Sequence, residues 1–294
     1  MAAAPKPEAG LQWLLNAITL PRHARLGIGP TIALAVLVLI ILSAVFAPLI
    51  APHDPLLMDA TQRLKGPSSL HPLGTDSYGR DILSRVITGG RISLVIGVSV
   101  AVASIGIGLA IGLVAGFFRR ADAIVMRIMD GLMAIPSIMI AIALVALNGP
   151  SLWSVMAAIA IPEVPRVVRL VRSVVLSARE EPYVEAAIAL GSSMPKILFQ
   201  HLMPNTLAPL IVQGTYVCAS AILTEAILSF LGAGVASEIP TWGNIIAQGR
   251  SYFQIKPTLI LWPGLMLSLC VLSVNLLGDA ARDRLDPRLR KRGE

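Results

Sequence analysis

Three apolar runs in this chain are longer than a soluble core needs, and they limit its possible folds more than any other feature. Thr31 to Ile50, Ile92 to Phe118 and Thr258 to Gly278 each pass without an ionisable side chain. A helix rises about 1.5 Å per residue, so about 20 apolar residues cross a hydrocarbon core about 30 Å thick with every backbone polar group bonded inside the segment. These three runs are read as membrane spans. Ala208 to Gly232 is long enough but contains Glu225, while Gly131 to Leu147 is near the minimum length and is expected to begin further upstream. Leu152 to Val168 meets Pro162, Glu163, Pro165 and Arg166 after about ten apolar residues. The pattern therefore predicts an all-α membrane protein with six transmembrane helices, the fourth carrying the most interruptions.

Composition excludes the pair of soluble domains that 294 residues would otherwise allow. Charged residues make up 14% of the chain and hydrophobic ones 55%, with a mean hydropathy of +0.75, whereas an ordinary globular protein is about 25% charged. A net charge of +7 would suggest a nucleic-acid partner if it formed one patch, but the charges lie between apolar runs. No nucleic-acid role is expected. Cys218 and Cys270 sit inside apolar stretches without metal-ligand or Cys-x-x-Cys spacing, which excludes a disulfide framework.

Positive charge stays on the cytoplasmic side of a membrane, so the distribution of Lys and Arg tests the span count. With six spans, 17 of the 24 basic residues collect on one side, from Lys6, Arg22 and Arg25 through Arg119, Arg166 and Arg179 to the cluster Arg282 to Arg292. Both termini are expected to be cytoplasmic. Omitting the fourth span would carry the C-terminal cluster across. Residues 1–30 are read as a cytoplasmic tail before a retained anchor, 31–279 as the six-helix membrane bundle and 280–294 as a basic tail that holds its end inside and contacts anionic lipid. Within the first tail, Leu11 to Leu20 is too short to span and is either an interfacial helix with Trp13 at headgroup level or an unordered segment.

The loop from Arg172 to Asn205 is long for a bundle connection. Pro182 suits a first helical turn, and Gly191 suits a left-handed helix end. Ser193 and Pro195 suit the start of a second helix that Pro204 would stop near Leu202. The expected product is a rigid bent lever. Its sequence EAAIALGSSMPKILFQHLMP resembles the coupling loop of ABC importer permeases, with Glu185, Ala186, Ala187, Gly191 and Pro204 in register. His201 replaces the usual Ile and Met203 the usual Leu, and a histidine there is similar to the peptide and nickel branch of that family. The alternative is an ordinary amphipathic loop.

HPLGTDSYGRDILSRVITGGRISL and LLGDAARDRLDPRLRKR also resemble that branch, so the likeness runs from about residue 30 to residue 290. The first of these is read as a turn capped by Thr75 or Asp76 and a short helix with an Asp81–Arg85 pair, lying on the membrane surface as part of an outer gate or docking site, or else as a plain connector. The resemblance implies a type I ABC importer permease bundle with a cytoplasmic coupling helix, in the bacterial inner membrane. It further implies a related second permease, two ATP-binding subunits that hold ATP and Mg, and an extracytoplasmic solute-binding protein. No cofactor would be bound by this chain itself.

Within the fifth span, Gln213, Tyr216, Ser220 and Thr224 share one helix face, either as pore lining or as interhelical hydrogen-bonding groups. Glu225 is rotated about 100° from Thr224 and is assigned a structural or gating role. Asp130 with Arg127 reads as an interfacial ion pair. No phosphate-binding Gly-x-x-x-x-Gly-Lys-Ser/Thr occurs, so ATP hydrolysis and catalysis are not expected here. His23, His53, His71 and His201 are scattered without paired-ligand spacing, and no metal site is expected. Glu180 and Glu181 are placed at a helix start rather than in acid–base work. The favoured cargo is di- or oligopeptide, with nickel, glutathione or another small solute as alternatives. An ion-coupled secondary transporter or channel is the rival from another class, which would need repeats or more intramembrane carboxylates than Glu225.

Overall fold

A computed structural model describes residues 27–285, and every element there longer than a single turn is helical. The segment at 11–20 and residues 286–294 lie outside this range. The helices are α1 (Ile28–Val45), α2 (Ile82–Phe117), α3 (Arg119–Ala134), α4 (Ser137–Asn148), α5 (Leu152–Ala178), α6 (Pro182–Ala189), α7 (Met203–Phe230), α8 (Trp242–Gly249) and α9 (Thr258–Leu285). One isolated antiparallel bridge joins Thr75 to Asp81. Four helical stretches are long and apolar enough to cross a membrane, and the pair α3 and α4, bent by 88°, brings the number to five. Helix α5 is not among these, because Glu163, Arg166 and Arg169 fall within its first 18 residues.

Several boundaries differ from the expected ones for identifiable reasons. Helix α2 begins ten residues before the apolar run, because Asp81 caps it by accepting from the Ser84 amide at 2.8 Å. The expected surface helix is therefore the first part of a 36-residue helix, about 54 Å long. The expected third span is broken instead. Ile135, forced out of the helical region by Pro136, adopts φ −96° and ψ 131° and turns the chain between α3 and α4. Helix α5 runs through Pro162 and Pro165 without ending. Packing on α2 holds it.

That α2–α5 contact is the most extensive in the bundle. Gly108, Gly112 and Gly116 recur every four residues on α2 and receive Val167, Val171 and Val175 of α5, so that an added Cβ would lie 2.5–2.6 Å from each valine Cβ. Between helices in lipid the gain comes from van der Waals fit and not from leaving water, and small residues permit that close approach. Helix α7 packs across α2, α5 and α9, whereas α1 lies outermost against α9 and α2 with most of its large side chains exposed. An exposed apolar surface of this kind suits lipid.

The two ends of α2 carry different structures. Near its C-terminus the Gly116 carbonyl accepts from Arg179, which leads into α6. Near its N-terminus Gly90 lies under the Trp242 ring, whose Nε1 donates to the Val86 carbonyl at 3.0 Å. The two glycines are about 39 Å apart along the helix, so α6 and α8 cap opposite ends. At the α8 end Arg80 donates to Asp76 at 2.7 Å, and Arg80 and Arg85 both donate to Gln248. Lys256 donates to the carbonyl oxygens of Lys65 and Thr75. This network locks the 53–81 loop onto α8.

Candidate functional site

The 182–202 segment is a bent handle anchored from one side. Pro182 occupies the first turn of α6, and Gly191 takes φ +75°. The Ser192 amide donates to Ala187 O and the Gly191 amide to Ile188 O, both at 3.0 Å, which closes a Schellman turn as the glycine led one to expect. Val184, Ala187, Ile197 and Leu202 are buried beneath it. Glu185, Ala186 and Gly191 face outward, with Leu190 87% exposed and Ile188, Met194 and Phe199 also open. A Cβ at Gly191 would meet nothing within 4 Å.

The second half of the handle differs from the two-helix reading. Ser193 makes no side-chain cap, and Pro204 starts α7 where it was expected to end a helix. Between Met194–Lys196 and α7 lies a π-helical turn, Ile197–Leu202. A proline ring clashes with the carbonyl four residues before it, and the wider π turn displaces that carbonyl, so the helix passes through Pro204. Asn205 then ties the halves together, donating to His201 O at 2.6 Å and to Tyr183 Oη at 2.9 Å.

Gln213, Tyr216 and Ser220 line a cavity of about 310 Å³ with Glu163 and Arg166 of α5 and Asn275 of α9. Thr224, one turn further along, does not line it. Glu163 is buried at 6% exposure, accepting from Ser220 Oγ and Arg166 Nη1, each at 3.2 Å. Tyr216 Oη donates to Asp279. A neighbouring cavity of about 600 Å³ shares Gln213 and Tyr216 and reaches Asn205 at the handle. In the sequence Glu163 reads as an interruption of the fourth span, and Arg166 as an interruption and one of the cytoplasmic basic residues. Two ionisable residues within an expected span were the available signal.

Glu225 is fully buried away from this cavity. It accepts from Ser229 Oγ and Thr241 Oγ1, each at 2.8 Å, and Thr241 in turn caps α8 by accepting from the Asn244 amide. Asp130 pairs with Arg169 of α5 at 2.5 Å, not with Arg127, and Asp122 pairs with Arg172, so two ion pairs fasten α3 to α5.

Long apolar helices with polar groups gathered between them and a bent handle at one end define an α-helical membrane protein. Comparison with known proteins places it more closely. Residues 104–291 match the family of binding-protein-dependent transport system inner membrane components, and residues 31–67 match the N-terminal transmembrane domain of oligopeptide transport permease C. A probable peptide ABC transporter permease of Sinorhizobium fredii is 54% identical over 85% of this chain and 86% of its own length. A dipeptide transport system permease of Alkalihalophilus pseudofirmus is 43% identical (88% and 86% covered), and a glutathione transport system permease of Pectobacterium atrosepticum 41% (86% and 84%). A chain of the inward-facing methionine ABC transporter MetNI shares the fold, with a TM-score of 0.55 at 20% identity over 70% of this chain and 98% of that one. The chain belongs to the binding-protein-dependent transport system inner membrane components, the permease subunits of ABC importers.

Proposed function

We propose that this chain is the non-catalytic permease subunit of a di- or oligopeptide importer, with six spans, both termini cytoplasmic and boundaries near residues 31 and 279. A related permease stands opposite, two ATP-binding subunits hold ATP and Mg, and an extracytoplasmic binding protein delivers cargo. The observation that carries the cargo reading is the cavity lined by an ion pair, Glu163 with Arg166 at 3.2 Å, whose two partners a zwitterion can bind by exchange. A zwitterionic peptide offers an ammonium and a carboxylate to match them. Gln213, Tyr216 and Ser220 line its path, while Thr224 packs and Glu225 holds α8 in place through Thr241. Peptide-transport relatives support this reading. The glutathione permease supports a second cargo of the same zwitterionic class.

Glu185, Ala186, Ala187, Gly191, His201 and Pro204 form the docking handle. Exposed Ile188, Leu190, Met194 and Phe199 make an apolar patch suited to a groove on the ATPase. ATP-driven closure pulls the handle and tilts the bundles, exposing the cavity alternately to each side. The test is Gly191→Asp beside Gly191→Asn in the complete complex. Both residues tolerate a left-handed backbone, so each is expected to fold. The aspartate is expected to release the ATPase and stop ATP-dependent dipeptide uptake in proteoliposomes, while asparagine retains much of both. Normal co-purification and uptake with Gly191→Asp would refute docking at this bend.

A further inference from the structure

Two histidines that lie 18 positions apart in the sequence meet at the α8 end of the molecule. The rings of His53 and His71 lie with centroids 4.7 Å apart, tilted by 34°, and His71 Nδ1 lies 3.0 Å from Asp81 Oδ1. One potential ligand atom from each of His53, His71 and Asp81 falls within 4.8 Å of the other two. His53 Nδ1 is buried and has no hydrogen-bond partner. An imidazole nitrogen cut off from water and from every protein donor or acceptor is costly unless something else occupies it.

We propose that His53, His71 and Asp81 bind one zinc-class divalent cation. Two imidazoles and one carboxylate are a borderline N/O donor set suited to such an ion, with water completing the shell. Each ligand is already held by its surroundings. The His53 amide donates to Ser84 Oγ, the His71 amide donates to Ser68 Oγ, and Asp81 Oδ2 accepts from the Ser84 amide and hydroxyl. Asp81 thus gives one oxygen to the helix cap, while the other, 3.0 Å from His71 Nδ1, exchanges that contact for the ion. Tetrahedral ligands lie about 3.3 Å apart, so binding closes the widest separation by about 1.5 Å at most and leaves the His71–Asp81 spacing of 3.0 Å nearly as it is. A cavity of about 380 Å³ that His53 lines with Asp54 and Arg91 gives access. The ion pins the loop between α1 and α2 to the start of α2, where the network with α8 is built.

The test uses the complete transporter, purified with a tag free of histidine, in lipid nanodiscs after dialysis against a chelator. Titration with Co²⁺, followed by visible absorption, is expected to show one equivalent per permease that Zn²⁺ displaces. His53→Ala is expected to weaken that binding by at least about a hundredfold, because losing a ligand costs more than losing an outer-shell partner. His53→Cys is expected to retain tight binding and add a thiolate-to-cobalt charge-transfer band. Absence of a stoichiometric site in the parent complex would overturn the proposal. So would unchanged binding in His53→Ala, or a His53→Cys complex without the new band.

Discussion

Glu163 is the residue on which the chemistry of the cavity turns. Its carboxylate is held by Ser220 and Arg166 and is almost out of contact with bulk water. Hydrogen bonds to charged groups contribute about 1.5–3 kcal/mol, and a glutamine in its place keeps an acceptor for Ser220 while removing the charge. Glu163→Gln is therefore expected to lower dipeptide uptake by about tenfold or more, the equivalent of about 1.4 kcal/mol, without loss of assembly. Uptake in proteoliposomes together with subunit stoichiometry measures this. Unchanged uptake would leave Glu163 a packing group. Glu225 contrasts with it, because both of its donors belong to the structure around α8 and none to the cavity.

At the scale of elements, the glycine stripe on α2 decides how closely α5 approaches. An added methyl at Gly112 would stand 2.6 Å from Val171 Cβ, whereas one at Gly106, on the same helix, meets nothing within 4 Å. Overpacking costs about 1–3 kcal/mol, while replacing an exposed helical glycine with alanine gains up to about 1 kcal/mol. Gly112→Ala is thus expected to lower the thermal midpoint of the complex and Gly106→Ala to hold or raise it, a difference in sign that unfolding scans in detergent detect. The α6 turn was legible in the sequence because Pro182 and Gly191 determine it locally. The start of α2 was less so. The sequence places the cap at Thr75 or Asp76 and pairs Asp81 with Arg85, whereas Asp81 itself caps the helix and Arg85 lies 3.7 Å from Asp76. The packing on this first turn comes from Trp242, over 150 positions away. The continuity of α5 through two prolines depends on α2 in the same way. The pairing of Glu163 with Ser220 and of His53 with His71 also required the fold, because no spacing rule joins residues brought together by different helices and loops.

For the whole molecule, the separation of α6 from α8 along α2 makes orientation a single question with a single answer. If the handle faces the cytoplasm, the network of Arg80, Arg85, Gln248 and Lys256 faces outward, where a delivered cargo first arrives. The excess of Lys and Arg beside α3, α5, α6 and the end of α9 favours that arrangement. Exposed positions at the two ends report it directly: Leu190 at the handle and Leu57 in the loop after α1 are both open to solvent. With Cys218 and Cys270 replaced by alanine, Leu57→Cys is expected to react with a membrane-impermeant maleimide in spheroplasts, and Leu190→Cys only in inverted vesicles. Reconstituting the ATPase should then shield Leu190→Cys, because the groove that receives the apolar patch covers it. The reverse labelling pattern would invert the topology and remove the docking role with it, since an ATPase in the cytoplasm cannot pull on a handle outside the cell.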